Sequence, residues 1–366
     1  MIAKRQNLFQ PDYAVPPGAT LEETMDAHGM TQRELADRTG LTVQTLNRIF
    51  KGEQPITYET ANRLELVTGT PAAFWNNLEA QYREQLAKLE QDREMAEHFD
   101  WLREIPTKEL LQRGVIPPCD DKIVLIREVF RFYGVSSTSA WRAVWEVPAA
   151  AAAAARRSTA FASNPGPTSA WLRLGQIEAR QIETRPYDKK VFAANLKAVR
   201  ALTVHEPGDV VPEMQRLSAE AGVAFVLVPE IKKAPWSGAA EWLSPTKAML
   251  LLNLRGKSED KFWFSFFHEA SHILNDSKKE TYLDDGKDYA DDPAEIRADE
   301  FAAEMLIPRK FDGAIRRAKS ADEIKTLARQ IGISPGIVAG RFQHLTGKWS
   351  HFKGLIRRFE WQHEDA

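Results

Sequence analysis

Residues 258–276 read SEDKFWFSFFHEASHILND, and the apolar residues of this stretch recur at helical spacing. Residues four apart lie on one face of a helix, so the spacing places His268 and His272 together, with Glu269 beside them. Two neutral imidazoles hold zinc without cancelling its charge, and an adjacent carboxylate can take a proton from the attacking water. The stretch therefore predicts a zinc site with Glu269 as the general base.

A third ligand is expected in residues 292–306, DPAEIRADEFAAEML, which also show helical spacing. Glu295 and Asp299 are four apart and share a face of this second helix. We assign Glu295 to the metal and Asp299 to the outer nitrogen of a ligand histidine. Two alternatives stay open: Asp299 as the direct ligand, or a helix that carries the motif by chance or as a decayed site.

The chain as a whole is predicted to be mainly α with a small sheet, and the segments around the motif predict that this sheet belongs to an α+β domain. VAFVLVPE (223–230) and KAMLLLNLRG (247–256) are short runs typical of strands, whereas residues 168–221 and 321–331 have helical patterns. The edge of the second strand is expected to pair with an extended substrate. Three residues are candidate donors to the oxyanion: Tyr282, Tyr289 and His351.

FFHEASHILN followed by EIRADEFAAEMLIP resembles the ImmA/IrrE family of metallopeptidases. The resemblance implies a gluzincin-like fold, zinc-dependent endopeptidase activity, and a helix-turn-helix repressor as the usual substrate. Members of the family often have glycine where Ser271 stands here, at a position that is not a ligand.

A helix-turn-helix is predicted near the start of the chain. Thr31 and Glu34 form a capping box, the first helix stops at Gly40, and Thr42 caps a second helix that would enter the major groove. Glutamine and asparagine can read adenine, and arginine and lysine reach guanine or phosphate. The residues assigned to DNA contact are Gln32, Thr42, Gln44, Thr45, Asn47, Arg48 and Lys51.

Residues 16–82 strongly resemble the Xre-type heads of HigA-like antitoxins. The resemblance implies a five-helix domain, operator DNA as a partner, and a cognate toxin as a further candidate partner. Residues 20–80 carry a net charge of −4, which disfavours strong non-specific DNA binding, so specific binding as a homodimer is expected. A helical bundle that does not bind DNA is the alternative.

Three segments follow from these patterns: a helix-turn-helix domain at 1–80, a helical connector and linker at 81–165, and the peptidase domain with a helical tail at 166–366. Residues 1–18 are expected to form an arm, a long helix to start at Thr70-Pro71, and Ala149–Ala155 to lie in a surface linker. The segment 322–347 has the spacing of a second helix-turn-helix, but we assign it to the tail of the peptidase domain.

The bulk composition sets further limits. The chain has 366 residues, a net charge of −2 and a single cysteine, Cys119, which excludes an internal disulfide framework and a four-cysteine metal site. No apolar run reaches the roughly 18 residues of a membrane span, and no signal peptide is evident. We therefore expect a cytoplasmic protein that does not contact membranes.

Two functions compete at this stage. The first is a transcriptional regulator or antitoxin whose zinc peptidase cleaves a repressor or antitoxin protein. The second is a HigA-like antitoxin and repressor whose zinc domain senses or binds without proteolysis.

Overall fold

The computed structural model describes residues 12–146, 165–256, 258–278, 281–284 and 292–361. The chain divides into two compact units, residues 1–99 and 100–366. The predicted linker around Ala149–Ala155 lies outside the described residues, and the predicted domain boundaries stay predictions. Among the residues that the structure describes, no helix has both the length and the apolar character needed to cross a membrane.

Over its described residues, from Asp12 onward, the first unit holds five α-helices: α1 (Pro17–Ala27), α2 (Gln32–Thr39), α3 (Val43–Phe50), α4 (Tyr58–Thr68) and α5 (Ala72–Ala96). Thr31 and Thr42 cap α2 and α3, and each side chain accepts a hydrogen bond from the backbone N–H three residues on. Leu35, Leu46 and Trp75 are fully buried in one apolar core. The five-helix architecture and the caps of α2 and α3 match the prediction.

The ends of two helices differ from the sequence prediction. Helix α1 begins at Pro17, so Pro17 and Gly18 belong to the helix and not to the arm. Helix α5 begins one residue later than expected, because Pro71 is its N-cap and Thr70 lies outside it. Since Pro71 offers no side-chain acceptor, the N–H of Ala72 donates instead to Glu65 Oε2.

The second unit is a helical assembly around a small sheet. The α-helices described before the sheet are α6 (Thr107–Gln112), α7 (Lys122–Tyr133), α8 (Thr138–Trp141), α9 (Pro165–Gln181), α10 (Lys189–Ala201) and α11 (Pro207–Ala219). The strands are β1 (Val223–Leu227), β2 (Gly238–Ser244), β3 (Lys247–Leu252) and β4 (Tyr282–Asp284). The helices after β3 are α12 (Glu259–Asn275), α13 (Pro293–Leu306), α14 (Asp312–Arg317), α15 (Ala321–Ile331) and α16 (Pro335–Thr346).

The sheet has the strand order β1-β3-β2-β4. Strand β1 pairs with β3 in parallel, and β2 pairs with both β3 and β4 in antiparallel fashion. The two predicted strands, β1 and β3, are present, whereas β2 and β4 were missed. The expectation that β3 offers an edge to a substrate is wrong, because β1 and β2 occupy its two sides.

The C-terminal helices α15 and α16 pack into the core of the second unit. Ile337 and Val338 of α16 are buried in the same apolar cluster as Phe266 of α12. The segment after α16 returns to the first turn of α12, where Arg357 donates to the buried carboxylate of Glu259 through its backbone N–H and its Nε. Helices α15 and α16 thus contribute to the core of this unit, and the assignment of the segment as a tail of the peptidase domain stays a prediction.

Candidate metal centre

The two histidines of the motif lie on one face of α12. Apolar residues at helical spacing, including Phe262 and Phe266, hold the helix in the core of the second unit. The side chains of His268 and His272 are buried, and their Nε2 atoms are 3.1 Å apart. The spacing of four therefore brings the two ring nitrogens to one point.

Glu295 reaches the same point from α13. Its Oε2 lies 3.0 Å from His268 Nε2, and its Oε1 lies 3.6 Å from His272 Nε2. Asp292 is the N-cap of α13, and its side chain accepts a hydrogen bond from the backbone N–H of Ala294 in the first turn. One ligand atom from each of His268, His272 and Glu295 lies within 4.8 Å of the others, so the three residues could hold a metal ion.

A carboxylate accepts a hydrogen bond from the outer nitrogen of each histidine. His268 Nδ1 donates to Asp299 Oδ1 at 2.9 Å, and His272 Nδ1 donates to Asp276 Oδ2 at 2.7 Å. Asp276 also accepts a hydrogen bond from the guanidinium of Arg297. Sequence reasoning missed Asp276, although its spacing of four from His272 repeats the spacing between Glu295 and Asp299 and could have revealed it.

The donor set fits a divalent cation. Because each outer nitrogen carries the ring proton and donates it in a hydrogen bond to a carboxylate, the two Nε2 atoms direct lone pairs at each other and at Glu295. Three acceptors this close repel one another unless a proton or a metal ion lies between them. Burial lowers the pKa of His268, but its bonds to Asp299 and Glu295 outweigh burial and raise the pKa well above 6.5. Protons and metal ions would therefore compete for this point.

Glu269 lies fully buried beside the three residues. Within the part of the chain that the structure describes, neither of its carboxylate oxygens has a hydrogen-bond partner. Burial raises its pKa to about 8, against the lowering effect of His272 and His268. A cation at the centre would lower this pKa and favour the ionised carboxylate.

The first residue of β2 makes room for that carboxylate. A Cβ at Gly238 would lie 2.6 Å from Glu269 Oε1 and 2.8 Å from its Cγ. Only a residue without a side chain lets the strand backbone approach Glu269 this closely. Sequence reasoning missed Gly238, because nothing local marks it as a neighbour of a residue 31 positions later.

Strand β4 lies beside the metal-binding face of α12. The ring of Tyr282 stacks on the ring of His272, with centroids 4.3 Å apart and 12° between the planes. Asp284 accepts a hydrogen bond from Ser265 Oγ at 3.1 Å, and its charge contributes to raising the pKa values of both His268 and Glu269. The positions of these two residues relative to the motif could not be read from the sequence.

The three candidate donors to the oxyanion have different surroundings. Tyr282 is buried against His272. His351 is exposed, and its ring lies beside Phe342 and Phe352 in the tail. Tyr289 lies outside the described residues. The role itself stays a prediction for all three.

The residues predicted to contact DNA lie on three parts of the first unit: α3 itself, the two caps of α3 (Thr42 and Lys51), and the first residue of α2 (Gln32). Five are exposed and two are half-buried; the exposed ones are Thr42, Gln44, Asn47, Arg48 and Lys51. Gln32, which is half-buried, donates from Nε2 to Asn47 Oδ1 at 2.8 Å, and the hydroxyls of Thr42 and Thr45 are 2.9 Å apart. Asn47 and Gln32 thus form one connected polar pair on the surface.

Positive charge is available on α3 although the head is acidic overall. Arg38 and Arg63 each pair with a glutamate four residues earlier on their own helices. Arg48 and Lys51 make no ion pair with a carboxylate among the described residues. Arg48 on α3 and Lys51 at its C-terminal cap are thus unpaired cations at the helix that the sequence assigns to the major groove.

Comparison with known families finds one match in each unit. Residues 21–75 match the helix-turn-helix family, and residues 226–343 match the IrrE N-terminal-like domain family, whose peptidases are typically metal-dependent. No curated protein matches the chain. The chain thus combines an N-terminal helix-turn-helix domain with an IrrE-like domain of a metallopeptidase family, consistent with a regulator that carries a protease domain.

Proposed function

We propose that the protein is a DNA-binding regulator whose second unit is a zinc-dependent endopeptidase. The observation that carries the proposal is the convergence of His268, His272 and Glu295 next to Glu269, whose buried carboxylate has no hydrogen-bond partner among the described residues. Two histidines and one glutamate are a ligand set of catalytic zinc sites, which keep a fourth position open.

In this proposal zinc, when bound, acts as a Lewis acid that polarises the peptide carbonyl and makes water more acidic. Glu269 takes the proton from the attacking water and passes it to the leaving amine. Asp299 and Asp276 hold the imidazoles in the tautomer that leaves Nε2 free to bind. The close backbone at Gly238 limits the space in which the Glu269 side chain can move.

The substrate proposed is a regulatory protein, a repressor or an antitoxin. Support comes from the helix-turn-helix domain on the same chain and from the resemblance to ImmA/IrrE peptidases. The resemblance to HigA-like antitoxins supports operator binding as a homodimer and a cognate toxin as a partner. Size-exclusion chromatography and co-purification with the product of the neighbouring gene test these last two points.

The peptidase is tested with wild type and Glu269→Gln, each assayed for zinc content and for cleavage of a proteome-derived peptide library read by mass spectrometry. We expect one zinc per chain in both proteins and cleavage by the wild type alone. Zinc in both proteins with cleavage in neither would favour a non-proteolytic zinc domain. Absence of zinc from both would refute the metal centre.

Operator binding is tested by gel shift on the DNA upstream of the protein's own gene. The double variant Gln44→Ala, Arg48→Ala removes one candidate base-reading group and one unpaired cation of α3. We expect it to bind at least tenfold more weakly, because each good base contact contributes about 1–3 kcal/mol. Glu90→Ala, an exposed change on α5, is the matched control, and unchanged binding by the double variant would contradict the assignment.

A further inference from the structure

The first residue of β2 packs against the catalytic carboxylate, and the side of β2 turned away from β3 lies next to α12. Gly238 begins the strand, and its backbone lies so close to Glu269 that a Cβ at this position would be 2.6 Å from Oε1. Extended peptides commonly bind by adding a strand to such an edge. A peptide paired with Gly238–Ala240 would carry its backbone past Glu269 and the three converging residues.

That edge is already paired within the chain. Strand β4 runs antiparallel to β2, with Gly238 opposite Asp284, Ala239 opposite Leu283, and Ala240 opposite Tyr282. In addition, the N–H of Ser237 donates to the carbonyl of Asp284 at 2.6 Å. The β2 backbone groups that a peptide would need are therefore engaged by β4.

The side chains of β4 also fill the space above α12. Residues two apart on a strand point to the same side, and here Tyr282 stacks on His272 while Asp284 bonds to Ser265. These two contacts lie seven residues apart on α12, and Glu269 falls between them. All three residues of β4 are buried. Strand β4 thus spans the catalytic face of the helix.

We propose that β4 is an internal strand that occupies the peptide-binding edge of β2 and must leave it before a peptide substrate binds. This inference rests on the proposed peptidase function. A strand of three residues makes few ladder bonds, so it is the short element that an incoming peptide can replace. The device would keep the peptidase inactive until a substrate or a signal displaces β4.

The experiment locks β4 onto β2 in the full-length, zinc-loaded chain. Ala239→Cys and Leu283→Cys are directly opposite, within the Cα separation that a disulfide needs, and point away from the side of Tyr282 and Asp284. Cys119→Ser in the background removes the only native thiol. Two probes are titrated by calorimetry. Acetyl-Ala-Leu-hydroxamate is expected to bind both the metal and the edge of β2, whereas acetohydroxamate is expected to bind the metal alone.

We expect oxidation to weaken the peptide hydroxamate at least tenfold relative to the reduced protein and to leave acetohydroxamate unchanged. Equal affinity of the peptide hydroxamate in both states would overturn the proposal, because the peptide would then bind with β4 in place. If the reduced, zinc-loaded protein binds neither probe, the proposed metal centre itself fails, and the inference falls with it. The two failures are therefore distinguishable.

A second variant does not depend on forming the disulfide. Leu283→Gly weakens β4 without touching its contacts to α12, since glycine disfavours strand conformation. We expect it to bind the peptide hydroxamate at least threefold more tightly than wild type, with acetohydroxamate unchanged. Unchanged or weaker binding of the peptide hydroxamate would count against the proposal.

Discussion

Removal of the Asp276 side chain is expected to weaken zinc binding although Asp276 is not a ligand. Its carboxylate accepts the Nδ1 proton of His272 at 2.7 Å, and the side chain is only 4% exposed. In Asp276→Ala no water can easily take its place, so the imidazole loses its fixed tautomer and orientation. Loss of such an outer partner typically weakens metal affinity about 10- to 100-fold, or about 1.4 to 2.7 kcal/mol.

The exposure of each side chain predicts the order in which the related variants weaken zinc binding. Asp299 lies 2.9 Å from His268 Nδ1 but is 38% exposed, so water can replace its carboxylate, and we expect Asp299→Ala to lie near the tenfold end. Arg297, which is 50% exposed, acts on His272 only through Asp276. Because solvent screens an exposed ion pair, we expect Arg297→Ala to weaken zinc binding less than Asp299→Ala does.

The assay is competition for zinc against a chromogenic chelator, with far-ultraviolet circular dichroism as a check on folding. Glu300→Ala is the matched control, because Glu300 lies on α13 and pairs with Arg309 at the exposed surface. A zinc affinity of Asp276→Ala within twofold of the wild type would refute the argument. A larger loss in Asp299→Ala than in Asp276→Ala would show that burial does not set the order.

Three further outcomes follow from the structure. Gly238→Ala places a methyl group 2.6 Å from Glu269 Oε1, so we expect peptidase activity to fall about 100-fold with zinc content unchanged; retained activity would contradict the close approach. Arg357→Ala leaves the fully buried Glu259 without its cation, so urea denaturation should show a loss of about 3 to 5 kcal/mol in the free energy of unfolding. Arg329→Ala, on the exposed face of α15, is the control. Free zinc at about 100 times its dissociation constant should raise the free energy of unfolding of the second unit by about 2.7 kcal/mol relative to the protein in excess chelator. An unfolding midpoint that does not change with zinc would argue against the proposed metal centre.

The parts of the molecule that sequence predicted well depend on local spacing. Helices α12 and α13 were expected with their bounds, because apolar residues at helical spacing and the Asp292-Pro293 start are signals within a few residues. The same holds for Thr31 and Thr42 as caps. Residues four apart on a helix share a face whatever the rest of the fold does.

The missed parts depend on contacts between distant segments. Strand β2 begins Gly-Ala-Ala, residues that have little strand preference, and it is a strand because β3 and β4 pair with it on both sides. Strand β4 has only three residues and no visible alternation. Since neither strand was predicted, β3 was wrongly given a free edge, and the positions of Gly238 and Asp284 beside the metal centre could not be inferred.

Charged contacts to distant segments hold both ends of α12. At its start, Glu259 accepts two hydrogen bonds from Arg357, whose guanidinium also donates to the carbonyls of Thr203 and His205. At its end, Asp276 joins His272 to α13 through Arg297. A ligand set held on such a helix is preorganised for a cation. Because β4 pairs with β2 over only three residues, the proposed control of substrate access requires the opening of one short ladder and leaves the ligands on α12 and α13 in place.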